Sequence, residues 1–117
     1  MLRRFDMVGN YEVVTLCGST KFKEDFLKAQ ESLTLSGRIV VSVGLFGHHD
    51  GKYGKEITPS VKAMLDDMHK RKIDMADSIF VINRDDYIGE STAAEISYAI
   101  ATGKQVNYMF AHKTQNT

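Results

Sequence analysis

The sequence is short of the features that mark several classes of protein. It holds a single cysteine, Cys17, in 117 residues, which excludes a disulfide framework within the chain and suits a reducing compartment. It has no excess of either charge: Lys+Arg and Asp+Glu number 15 each, so no overall field draws it to nucleic acid or to a membrane surface. No apolar run approaches the length of a transmembrane helix. The opening MLRRFDMVGNYE lacks an apolar core, so no signal peptide is expected. Repeats, low-complexity tracts and linkers are missing too. What remains is ordinary globular composition, 43% hydrophobic and 26% charged, in a length that suits one domain over residues 1–117. The expectation is a cytoplasmic domain whose partners are small molecules and further copies of itself, with neither a nucleic-acid polymer nor a membrane among them.

Along the chain, apolar β-branched runs alternate with helical periodicity. Residues 12–17 form a short run ending at Gly18-Ser19-Thr20, as a strand buried on both faces would. Phe22, Phe26, Ala29 and Leu33 follow at spacings of four, three and four, which places them on one helical face, with Gly37 as a stop. Residues 38–43 read as a second strand. After them GLFGHHDGKYGKEIT is irregular and long for a connection between strand and helix, so it is either mobile or a flap that faces a substrate. Thr58-Pro59 has the form of a helix cap followed by proline in the first turn. Val61, Met64, Leu65 and Met68 then continue at helical spacing to about Met75, and the methionines read as core filler. Residues 78–82 form a third strand, 83–90 its polar exit, and the helix that follows carries Ala93, Ile96 and Ile100 on its apolar side. Residues 105–110 form a fourth strand. The order βαβαβαβ predicts an α/β fold, a Rossmann-like three-layer sandwich with a mostly parallel sheet of four to five strands.

Four groups carry possible chemistry. The turn Gly18-Ser19-Thr20-Lys21 offers close backbone approach and free amides to an anion, although it matches neither a Walker loop nor GxGxxG. Glu95 has two readings. Thr92-Ala93-Ala94-Glu95 fits a capping box, and a carboxylate in the first helical turn is held ionised by the helix dipole, which suits a nucleophile. The loop Asn83-Arg84-Asp85-Asp86-Tyr87, with Asp77 ahead of the strand and Asp66, Asp67 and His69 on the preceding helix, holds carboxylates that could contact a sugar or donate a proton. Most such aspartates only form turns. His48-His49 could contact a substrate from the flap. No further Cys/His set stands at metal-ligand spacing, so neither a metal nor a cofactor is expected. Cys17 reads as a buried thiol.

Taken together, Leu16-Cys17-Gly18-Ser19-Thr20-Lys21, the run from Met75 through Ile82, and Gly89-Glu90-Ser91-Thr92-Ala93-Ala94-Glu95-Ile96-Ser97-Tyr98-Ala99 resemble the nucleoside 2-deoxyribosyltransferase-like superfamily, which includes the 2'-deoxynucleoside 5'-monophosphate N-glycosidases. The resemblance covers most of the chain, from about Val13 to Met109. It implies a Rossmann-like parallel sheet. It also implies a nucleophile at Glu95 that attacks the anomeric carbon and expels the base, the logic of retaining glycosidases. Gly18, Ser19, Thr20, Lys21 and Ser91 match the positions that hold a 5'-phosphate, with Gly89, Thr92, Asp77 and His48 as further substrate contacts. Where the family has an acid about two helical turns before Asp77, this chain has His69, so His69 or a loop aspartate such as Asp85 would take that role. The resemblance implies a homodimer or higher homo-oligomer, in which Asn107 and Tyr108 stand where residues completing a neighbour's site would come from. A non-catalytic nucleotide-binding or sensor module on the same fold is the alternative, prompted by His69.

Overall fold

In the computed structural model, which describes residues 8–47 and 51–113, strands and helices alternate as the sequence predicts. They are β1 (Val13–Gly18), α1 (Lys23–Leu35), β2 (Ile39–Val41), α2 (Pro59–Asp74), β3 (Ser78–Ile82), α3 (Glu90–Ala101) and β4 (Gln105–Tyr108). The strands form one sheet in the order β2-β1-β3-β4, with every neighbouring pair parallel. The molecule is an α/β, Rossmann-like three-layer sandwich. Among the described residues, no helix is long and apolar enough to cross a membrane.

Two strands are shorter than predicted, and the reason in each case is a competing partner. β2 pairs with β1 over three residues only, and the Ser42 carbonyl beyond it accepts a hydrogen bond from Lys72 Nζ at 2.9 Å. β4 ends at Tyr108; Met109 N still reaches the Val81 carbonyl, but Phe110 N is taken by the Asn83 side chain at 2.9 Å. At the opposite end of the sheet, Val13 and Asp77 bond reciprocally. Val13 N donates to the Asp77 carboxylate and Asp77 N donates to the Val13 carbonyl, both at 2.8 Å. This adds a rung ahead of the β1–β3 ladder, and it puts Asp77 far from the loops where a ligand would bind.

Side chains alternate across the central strands. Leu16, Phe80 and Ile82 face α1, where Phe26 and Ala29 complete a core with Leu33 and Phe22 at its margin, as the four-three-four spacing predicted. Cys17, Ile79 and Val81 face the other side, against Ile73 of α2 and Ala99 of α3. On that side the predicted helix faces hold only in part: Val61 and Leu65 are half-buried and Ile96 packs against the core, but the other predicted residues are exposed. Met64 and Met68 are about half exposed, Met75 is more so, and the buried residues of α2 are His69 and Ile73. Only the C-terminal half of α2 packs on the sheet, so its first apolar residues have no core to enter. On α3, Ala93 and Ile100 face out, and the buried positions are Thr92 and Ala99. Small side chains at Thr92 and Ala99 let the helix lie close to the strands, and Ile96, as predicted, packs against the core beside them.

Gly18 ends β1 against β3. A β-carbon there would stand 2.8 Å from the Ile82 carbonyl oxygen and 2.9 Å from the Ile82 β-carbon. Both are backbone or near-backbone atoms that cannot swing away. Gly18→Ala is expected to cost about 1–3 kcal/mol of stability through overpacking, read as a lower urea midpoint with an unchanged slope.

Candidate functional site

The sheet order reverses direction between β1 and β3, and open α/β sheets leave a crevice at such a point beyond the strands' carboxyl ends. Here the crevice is a cavity of about 340 Å³, within the range of small-molecule sites. One wall is the turn after β1, Gly18, Ser19 and Thr20, where Ser19 Oγ caps a single 3-10 turn by accepting from Lys21 N at 3.4 Å. The facing wall is the start of α3. Val43, Gly44 and Leu45 follow β2 into the cavity and Ile57 joins them, so the two ends of the long connection line it. His48 lies outside the described residues.

α3 begins at Glu90, with Gly89 as its cap residue and no side chain capping it. Thr92 is therefore inside the helix, and Glu95 falls in the second turn. Neither the capping box nor dipole stabilisation of an ionised Glu95 survives this placement. The pattern Thr-x-x-Glu is present, but the helix starts earlier than the pattern implies. Glu95 instead follows the inward stripe of Thr92 and Ala99, and its side chain is only 15% exposed. Burial pushes its carboxyl up to about 7, helped by the nearby Asp66 carboxylate. A hydrogen bond from Cys17 and the charges of Lys62 and Lys72 oppose the rise.

Three elements meet at this carboxylate. Cys17 is the last residue of β1 to face the α2–α3 side, and α2 and α3 supply His69 and Glu95. His69 Nε2 lies 3.5 Å from Cys17 Sγ and 3.8 Å from Glu95 Oε1. It also lies 3.1 Å from the Leu16 carbonyl. Burial lowers the His69 pKa to about 4, with Lys72 adding to the effect, so the ring is neutral at physiological pH. A neutral ring that bonds a carbonyl through Nε2 carries its proton on that nitrogen. Burial and the Glu95 carboxylate both push the Cys17 thiol up, so it is protonated.

Of the residues predicted from sequence, the structure brings Gly18, Ser19, Thr20, Gly89, Ser91, Thr92, His69 and Glu95 to one cavity. Others it does not. Lys21 does not line the cavity; its amine lies over the Tyr87 ring at 3.6 Å. Asp77 holds the sheet edge described above. Asp85 has φ of 55° in the exit turn Arg84–Asp86 and does not line the cavity, which removes it as the acid. Its neighbours hold that loop in place. Arg84 forms a two-pronged pair with Asp25 of α1 at 2.6 and 2.8 Å, and Asp86 accepts from Asn83, His112 and Lys113 N. His112 above all holds the Asp86 carboxyl down at about 2. Sequence reasoning missed Lys62 and Lys72 as cavity residues, and did not connect Cys17 to His69. Lys62 and Lys72 stand three and four positions from the wall residues Leu65, Asp66 and Met68, a helical spacing that could have found them.

Counted as charges, the cavity holds Lys62 and Lys72 against Asp66 and Glu90, balanced while Glu95 is protonated. Compared with models of protein families and with curated proteins, the chain matches none.

Proposed function

We propose that this chain cleaves or transfers at the N-glycosidic bond of a (deoxy)nucleoside or a nucleoside 5'-monophosphate, with Glu95 as the nucleophile. The carrying observation is the Glu95 carboxylate, nearly buried yet opening on a cavity at the sheet's switch point, between two glycine-bearing turns. Its resemblance to the nucleoside 2-deoxyribosyltransferase-like superfamily supports the same residue by an independent route.

In this reading a Glu95 oxygen forms a bond to the anomeric carbon as the carbon–nitrogen bond breaks, and the electron pair leaves with the base. Water or a second base then attacks the glycosyl-enzyme and frees Glu95. The first amides of α3, which have no partners within the helix, and the Gly18–Thr20 turn suit a 5'-phosphate. Leu65, Val43 and Leu45 offer the base an apolar wall. The acid is the part that moves. His69 holds only the proton it donates to Leu16, whereas Asp66 lines the cavity as a second carboxylate, paired to Lys62 at 3.0 Å, and can pass to the departing base the proton that Glu95 gives up when it ionises to attack. Asp66→Asn is expected to slow base release about 10²–10⁴-fold, the range for general acid catalysis, and to slow it least for bases that leave easily.

The test is to incubate the protein with deoxynucleosides, ribonucleosides and their 5'-monophosphates and to measure free base by chromatography. No release from any of them sinks the proposal. The neutral His69, standing where the family's acid would be, favours a second reading, a nucleotide-binding module without turnover. Calorimetric binding of a monophosphate with no base released would select it.

A further inference from the structure

The geometry points to Cys17, His69 and Glu95 as a site for a single zinc ion, with its fourth position open to the cavity. Among the described residues, these three offer a sulfur, an imidazole nitrogen and a carboxylate oxygen, all within 4.8 Å of one another. Two ligands of a tetrahedral zinc, with bonds of about 2.3 Å to sulfur and about 2.0 Å to nitrogen, stand roughly 3.5 Å apart. Cys17 Sγ and His69 Nε2 are 3.5 Å apart as they stand. The nitrogen–oxygen separation of 3.8 Å is about half an ångström wide of the corresponding edge, a gap that a small turn of the Glu95 side chain closes.

The ligands come from β1, α2 and α3, so each is fixed by a separate regular element, as a preformed site requires. Cys17 and His69 are buried, while His69 and Glu95 also line the cavity. A metal on them is therefore sheltered below and open above, the three-ligand arrangement of zinc sites that leave a place for water or substrate. The donor set names the class of ion. Magnesium and calcium take oxygen ligands; a thiolate with an imidazole and a carboxylate suits zinc, with cobalt as its spectroscopic stand-in. As the zinc–sulfur bond forms, the thiol proton leaves to solvent, and Glu95 binds as the carboxylate. His69 binds through Nε2 by moving its proton to Nδ1, so its hydrogen bond to the Leu16 carbonyl is given up. Zinc ties up the carboxylate assigned above to attack, so metal binding and base release alternate at one residue.

The test needs no substrate, and its failure leaves the base-release reading untouched. The reduced chain, stripped with EDTA, is titrated with zinc chloride by calorimetry and with cobalt chloride by absorbance. The expected result is one ion per chain, with a thiolate-to-cobalt charge-transfer band that only Cys17 can supply, since the chain has no other cysteine. Cys17→Ala should abolish the band. Glu95→Gln, nearly isosteric and checked for folding by circular dichroism, should weaken zinc binding by at least ~10-fold. Any of three results overturns the site: no binding up to millimolar metal, cobalt binding without the charge-transfer band, or affinity unmoved in both His69→Ala and Glu95→Gln.

Discussion

Glu95→Gln should lower base release by at least a thousandfold, on the order of 4 kcal/mol of transition-state stabilisation, while nucleotide binding changes by only a few-fold. The amide keeps the volume of the carboxyl and fills the same place between Cys17 and His69, so the cavity wall survives. What it lacks is an oxygen able to bond the anomeric carbon, and without that bond no glycosyl-enzyme forms. A supporting observation in the unmodified chain would be a protein mass raised by one sugar unit after a brief exposure to substrate, with no such increase in Glu95→Gln. Equal base release by the two proteins would falsify the nucleophile role and leave Asp66 as the carboxylate to examine.

The second large effect is on stability, and it is hidden in the unmodified chain. His69 has a folded pKa of about 4 against 6.5 for an ordinary histidine. Between those values the unfolded chain binds a proton that the folded one refuses. His69 therefore makes stability rise with pH from 4 to 6.5, and lose that gain as pH falls. Glu95 does the opposite. Its folded pKa of about 7 stands above the ordinary 4.5, so between those values the folded chain holds the extra proton and stability falls as pH rises. Each effect is on the order of 3 kcal/mol, and over roughly pH 4.5–6.5 they oppose one another. Unfolding by urea, measured with EDTA present, should be nearly flat in the unmodified chain across that range. Glu95→Gln should leave the rising slope of His69 alone, and His69→Asn the falling slope of Glu95. A flat profile in both variants would show that neither group is perturbed by its burial.

How far these features were legible in the sequence depends on how local their causes are. The central strands could be read because a run of β-branched and apolar residues is a local signal; residues 78–82 match β3 to the residue. Thr58-Pro59 marked the start of α2 for the same reason, with Thr58 Oγ1 accepting from Val61 N at 3.2 Å. The face of α1 follows its periodicity, whereas those of α2 and α3 follow it only in part, because periodicity reports where apolar residues lie while packing decides which side meets the sheet. Met64 and Met68 are apolar and half exposed; His69 is polar and buried. The sequence places Glu95 at the cleft, but the helix dipole predicts an ionised carboxylate there, and burial overrides it. The contact of Cys17 with His69 spans 52 residues. It depends on the parity of β1, the phase of α2 and the closeness of α3 together, and no local pattern reports that combination.

The rung between Val13 and Asp77 has a consequence for the far end of the sheet. In a strand, a shift of one residue turns every side chain to the other face. By tying the start of β1 to β3 ahead of their ladder, Asp77 helps to hold the register in which position 17 looks toward α2 and α3, and not toward α1. An aspartate that touches nothing in the cavity thus helps decide whether a sulfur atom stands beside Glu95 at all.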